Sequence, residues 1–168
     1  HQPAVLLLAY PNNPTGNAWA QDDIRQLITA MALHGGLVVL DEAYQPFAAH
    51  SWLANLHEAT NVVLVRTLSK LGLAGLRLGY LVAAPAWVEQ LDKVRPPYNI
   101  NVLTLAATQF LMQHIAVFEA QAARLKVQRT GLLAALATMQ GVTAYPSEAN
   151  FVLCRVPDAA AWFEALKA

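Results

Sequence analysis

Apolar residues in this chain fall either into short unbroken runs or into helical spacings, with turn-forming clusters between them. Residues 5–9 form an apolar run closed by Tyr10-Pro11-Asn12-Asn13-Pro14-Thr15-Gly16, which reads as a buried strand meeting a dense turn. Ile24, Leu27, Ile28 and Met31 then recur at helical spacing, with Asp22 and Asp23 in the first turn and Gly35-Gly36 as the stop. Runs at 37–40, 61–66 and 78–83 read as three further strands. The first three strands suit a parallel sheet with helical crossovers. The segment joining the third to the fourth is too short for a crossover, so the fourth is expected to be antiparallel.

Pro85 opens a helix carrying Val88 and Leu91, and Pro96-Pro97 breaks it. Residues 101–140 are rich in Ala and Leu and predict two helices with a bend near 114–117, ended by Gly141. Strands are expected at 142–145 and 151–156 around Pro146-Ser147-Glu148-Ala149-Asn150. Asp158 is the expected N-cap of a last helix carrying Trp162, Phe163 and Leu166. The change of pattern at Pro96-Pro97 divides the chain into 1–97 and 98–168. Both ends read as cut: the chain opens on His1 and closes on Ala168 inside a helical pattern.

At 56% hydrophobic and 13% charged, the 168 residues favour a packed core over disorder. A formal net charge of zero without a basic cluster argues against a nucleic-acid partner. No signal peptide is expected, and every apolar stretch is interrupted short of membrane-spanning length. Cys154 is the only cysteine, so no internal disulfide can form, which is compatible with the cytoplasm; it reads as a small core residue. The five histidines lack metal-ligand spacing and predict no metal site. The four tryptophans read as packing residues.

Ligands of parallel α/β sheets bind outside the carboxyl ends of the strands. The polar residues there are Asn12, Asn13 and Thr15 after the first strand, and Asp41 and Tyr44 after the second. Thr67, Ser69 and Lys70 follow the third, and Arg77 precedes the fourth. Each alone has an ordinary reading, as a turn, a helix cap, a half-buried edge residue or a surface charge. Together they bring an acid, an amine, a phenol, an amide, hydroxyls and a guanidinium toward one edge.

In this order the set resembles the fold-type I pyridoxal-phosphate (PLP) aminotransferases. Asn13-Pro14-Thr15-Gly16 is similar to the family's N-P-T-G turn and Asp41-Glu42-Ala43-Tyr44 to its D-x-A-Y segment. Ser69-Lys70 followed by Gly75-Leu76-Arg77-Leu78-Gly79 is similar to its S-K…G-x-R-x-G segment. Within that class, Leu73-Ala74-Gly75-Leu76-Arg77 and Arg95-Pro96-Pro97-Tyr98-Asn99-Ile100-Asn101 resemble histidinol-phosphate aminotransferases. The Lys70-to-Arg77 spacing is one residue shorter than in many relatives.

The resemblance implies an α/β fold: part of the PLP-transferase large domain, mostly parallel with one antiparallel strand and helices on both faces. Part of a small α+β C-terminal domain follows. It implies pyridoxal 5'-phosphate as cofactor, Lys70 as the catalytic Schiff-base lysine, and Asp41 opposite the pyridine nitrogen. Tyr44 and Asn13 would face the ring oxygen, with Arg77, Ser69 and Thr67 at the phosphate. It implies an amino donor and a 2-oxo acid as substrates, by closest likeness histidinol phosphate and 2-oxoglutarate, and a cytoplasmic homodimer. Rival readings on the same scaffold are a decarboxylase, another transaminase, or a non-catalytic sensor domain. The family's upstream phosphate loop and stacking aromatic, and its downstream carboxylate-gripping arginine, have no counterpart in the sequence, so the chain alone is expected not to turn over. A cis peptide bond is expected at Asn13-Pro14.

Overall fold

The computed structural model describes residues 2–167. Four strands form one sheet in the order β1-β2-β3-β4: β1 (Val5–Ala9), β2 (Leu37–Asp41), β3 (Val62–Thr67) and β4 (Gly79–Ala83). β1, β2 and β3 run parallel and β4 antiparallel, as the short connection requires. The carboxyl ends of the parallel strands and the start of β4 therefore share one edge.

Helix α1 (Gln21–Ala32) crosses from β1 to β2 and buries Ile24, Ile28 and Met31 against Val38, Leu40, Val62 and Leu64. Each such side chain contributes roughly 1.5–3 kcal/mol by leaving water. Gly35, at φ 72°, turns the chain back, and the Asn61 amide closes the corner by donating to Ile28 O and Gly36 O, both at 3.1 Å. The second crossover is built from 3-10 turns, Gln45–Phe47 and Trp52–Glu58, and not from an α-helix. Trp52 from this segment joins the core beneath α1. On the opposite face, α2 (Pro85–Val94) lies beside β4, where Val88 and Leu91 line a cleft with Leu81. The β1 part of that face is open, with Leu7 74% exposed.

Helices α3 (Val102–Gln113) and α4 (Ile115–Ala137) break at His114 and meet at 74°. No single helix among the described residues is long and apolar enough to cross a membrane. Asn101 caps α3 by accepting from Thr104 N at 2.8 Å. Strands β5 (Thr143–Ala144) and β6 (Cys154–Arg155) are shorter than the sequence pattern predicts. Beyond one further ladder bond, Tyr145 N to Leu153 O, the backbone of residues 147–149 bonds outside this pair, to Gly16 and to side chains. Cys154 is half-buried in β6. Asp158 caps α5 (Ala159–Lys167) through Ala161 N at 3.0 Å, and Phe163 and Leu166 of that helix are exposed.

Candidate active site at the sheet edge

Side-chain alternation along β2 separates two neighbouring acids. Leu40 faces the core under α1, so Asp41 points to the opposite side and Glu42 returns to the core side. Asp41 lies level with Ala9 on β1 and Val65 on β3, at the centre of the edge. Its Oδ1 accepts the Ala43 N–H at 2.9 Å, which fixes the carboxylate's rotation. The chain then leaves the sheet and brings Tyr44 round in the turn before Gln45–Phe47.

The Asn13 amide donates to the Tyr44 phenol oxygen at 2.8 Å, joining residues 31 apart in sequence. That leaves the phenol O–H free to donate elsewhere. The Lys70 ammonium stands 5.3 Å from the centroid of the same Tyr44 ring, in cation–π range. Among the described residues it has no hydrogen-bond or ion-pair partner. Lys70 sits in a 3-10 turn, Ser69–Leu71, ended by Gly72 at φ 86°. Thr67 Oγ1 braces this loop: it accepts Ser69 N at 3.0 Å and lies 3.0 Å from Ser69 Oγ and 3.2 Å from Leu78 O. Arg77 is exposed at the corner before β4, in the left-handed region at φ 50°. The Asn13-Pro14 bond is cis, and so is Tyr10-Pro11.

The structure thus brings Asn13, Tyr44 and Lys70 into contact, sets Asp41 at the middle of their edge, and has Thr67, Ser69 and Arg77 on the adjoining β3–β4 loop. Lys70 lines a cavity of about 80 Å³ with Phe47 and Phe118. A larger one of about 510 Å³ lies between Arg66, Tyr80 and the α3–α4 corner.

Two features of the edge escape the motif reading. The first is an ion pair between a buried carboxylate and a half-buried guanidinium. Glu42 is 1% exposed, and its Oε2 accepts from Arg66 Nη2 at 2.8 Å, Arg66 Nε at 3.0 Å and Ser51 Oγ at 2.9 Å. Its Oε1 accepts Trp52 N at 2.6 Å. Burial works to lower the Arg66 pKa, but Tyr80 and Glu42 outweigh it and the net direction is upward. Alternation carries the signal for this pair: Glu42 falls in step with Val38 and Leu40, and Arg66 with Val62 and Leu64. A charge turned toward the core side needs a partner there.

The second feature is the segment at 147–151. Glu148 N donates to Gly16 O at 2.7 Å, and Ala49 N donates to Glu148 Oε2 at 2.8 Å. The Phe151 ring meets Tyr44 edge-on, 5.3 Å between centroids. Arg129 Nη1 donates to Ala149 O at 2.7 Å and Phe47 O at 3.2 Å; burial pushes its pKa down, opposed by Glu148. The C-terminal part of the chain therefore braces both the Asn13 turn and the Tyr44 loop.

Chemically, the edge offers an amine, a carboxylate with one oxygen uncommitted, two donors for one oxygen, and a hydroxyl-plus-guanidinium loop for an anion. The profile of the family described as "Aminotransferase class I and II" matches residues 1–167. A histidinol-phosphate aminotransferase of Burkholderia lata is 58% identical over 166 residues, 99% of this chain and 46% of that protein. The solved histidinol-phosphate aminotransferase of Sinorhizobium meliloti, in complex with pyridoxal-5'-phosphate, superposes with a TM-score of 0.81 at 28% identity. The match covers 97% of this chain and 45% of that one. A decarboxylase from Sulfurospirillum multivorans superposes with a TM-score of 0.80 at 26% identity, over 94% of this chain and 47% of that one. The chain spans about half the length of the curated relatives it matches.

Proposed function

The chain belongs to the class I and II aminotransferase family, and from that footing we propose that its sheet edge holds pyridoxal 5'-phosphate and serves transamination of histidinol phosphate with 2-oxoglutarate. The observation that carries the reading is the Asn13–Tyr44–Lys70 contact, three residues from three loops meeting at one ring. The donor set fits the cofactor. Asp41 keeps one oxygen for a protonated ring nitrogen, and Tyr44 and Asn13 converge as donors for a ring oxygen. Ser69 and Arg77 offer a hydroxyl and a bidentate cation for a phosphate, while Thr67 braces their loop and can add its own hydroxyl by releasing Leu78 O.

When bound, the cofactor supplies a conjugated ring that draws electrons from the substrate's α-carbon. The protein's contribution is position and proton control. Asp41 keeps the ring nitrogen charged by offering a carboxylate whose rotation Ala43 N already fixes. Lys70 Nζ is the amine that holds the cofactor, and then takes and returns the α-proton of the substrate. Tyr44 provides the face over which that amine rests, and the Asn13 amide, donating to the phenol oxygen, orients the Tyr44 hydroxyl.

In this reading the partners are an amino donor, a 2-oxo acid and a second copy of the chain, in the cytoplasm. The exposed Val102, Leu103 and Phe110 of α3 give such a copy an apolar surface. We also read residues 1–97 as belonging to a large cofactor-binding domain and 98–168 to interdomain helices and a small domain. The break at Pro96-Pro97 supports that division.

The test is to incubate the purified full-length protein with PLP, reduce with borohydride and map the labelled peptide. The expected label is on Lys70, and Lys70→Ala abolishes it. A label on Lys93, Lys126 or Lys167 overturns the assignment. Glutamate formation from histidinol phosphate and 2-oxoglutarate checks the substrate pair. Carbon dioxide release from an amino acid would favour the decarboxylase reading, which the likeness to the Sulfurospirillum multivorans enzyme keeps in play.

A further inference from the structure

The Glu42–Arg66 pair stands between the two loops that carry the site. Glu42 follows Asp41 directly and precedes Tyr44 by two residues. Arg66 precedes Lys70 by four. The pair lies one step beyond the last β2–β3 register partners, Asp41 and Val65, where the regular ladder gives out. The last backbone bond between the loops is Glu42 N to Val65 O, at 2.8 Å. From there to Tyr44 the backbone keeps only the local turn bonds of Ala43 N on Asp41 Oδ1 and Gln45 N on Glu42 O, and the Glu42 side chain ties the segment to the neighbouring elements, its two oxygens accepting from Arg66, Ser51 and Trp52. Arg66 Nη2 also donates to Ser51 Oγ at 2.6 Å, closing a triangle. On β4, Arg66 is the register partner of Tyr80, three residues after Arg77.

A buried ion pair contributes little net stability, because desolvating both charges offsets their attraction. What this one supplies is geometry. With Arg66 Nε and Nη2 both on Glu42 Oε2 and Nη2 also on Ser51 Oγ, the planar guanidinium restricts where the three groups can sit.

We propose that the cluster of buried Glu42 with half-buried Arg66 and Ser51 is a positioning clamp that sets the Asp41–Tyr44 loop against the Lys70 loop. It acts through Asp41 and Tyr44 without touching cofactor or substrate. The consequence for cofactor affinity rests on the pyridoxal-phosphate reading above; the consequence for the Asn13–Tyr44 contact does not. The Asn13–Tyr44 hydrogen bond, at 2.8 Å, is the nearest reporter, since a shift of roughly 1 Å in Tyr44 breaks it.

The experiment compares Glu42→Gln and Ser51→Ala with Ile28→Val, which loosens the same core without touching the cluster. Two quantities are measured on the purified full-length protein. One is the NMR position and solvent exchange of the Asn13 side-chain amide. The other is the dissociation constant for PLP from absorbance titration. Glu42→Gln should move the Asn13 signal, speed its exchange, and weaken PLP binding about tenfold, the lower end of what loss of an outer partner costs at metal sites. Ser51→Ala should do the same to a smaller degree and decides the matter where Glu42→Gln does not fold. Ile28→Val should leave both readouts at their starting values. An Asn13 signal unmoved in the cluster variants, or moved equally by Ile28→Val, overturns the clamp. Unchanged PLP affinity in a variant whose Asn13 signal has moved overturns the clamp's consequence for cofactor binding. Absence of PLP binding by the unmutated protein would remove the cofactor reading, and the Asn13 signal would still decide the clamp.

Discussion

Replacing Gly16 by alanine probes the contact between the Asn13 turn and the 147–151 segment. Gly16 has φ 78°, where an alanine costs about 1–2 kcal/mol relative to right-handed backbone. A Cβ there would stand 2.6 Å from Ser147 Oγ and 3.0 Å from Ser147 Cβ, so something must move. Ser147 cannot simply turn aside, because its hydroxyl donates to Phe151 O at 2.6 Å and accepts Ala149 N at 3.1 Å. Losing those bonds inside the contact adds about 1–3 kcal/mol. Gly16→Ala should therefore destabilise the fold by roughly 2–5 kcal/mol, read as a lower urea midpoint at unchanged m-value. Ser147→Ala removes the hydroxyl that clashes, so the double variant should be less destabilised than the two singles together, by about 1 kcal/mol. A Gly16→Ala loss under about 1 kcal/mol, or strict additivity with Ser147→Ala, would refute the steric account.

Tyr10 is buried, and burial first, then the charges of Glu148 and Glu42, raise its pKa above the ordinary 10.0, partly countered by Gln21. Its neutral form is favoured in the folded state, so its contribution is complete below pH 10.0 and lost as pH rises through the higher folded value. Denaturant unfolding across that window should give a shallower alkaline decline for Tyr10→Phe than for the unmutated protein; equal slopes would count against it. Arg129→Met keeps length but withdraws the N–H groups from Phe47 O and Ala149 O. It should cost about 1–3 kcal/mol and raise hydrogen exchange at 147–151 before it does so in α1.

Much of this architecture is written locally. The run at Val5–Ala9, the helical spacing from Ile24 to Met31 and the Val-rich β3 each carry their own periodicity, and turn residues punctuate them. The antiparallel β4 followed from connection length alone, and the break at His114 from composition. The order of Asn13, Asp41, Tyr44, Lys70 and Arg77 along successive strand ends was legible because parallel topology sends every such end to one edge. Sequence could not say which of these residues touch. The Asn13–Tyr44 bond and the Lys70–Tyr44 approach depend on loop paths that leave the sheet, where strand alternation no longer fixes direction.

The rest was decided by tertiary structure. Glu148 reaches Ala49 across 99 residues, and Arg129 reaches Phe47 across 82. The same contacts draw residues 147–149 out of the ladder and leave β5 and β6 two residues long, although their pattern alone predicts longer strands. Glu42 and Arg66 illustrate the boundary between the two kinds of information. Their alternation says that both turn inward, which is a local fact. That they meet, and that Ser51 and Trp52 N complete the carboxylate's shell, follows only when two strands and a crossover are packed together. A buried charge is stable only where the fold supplies every partner at once.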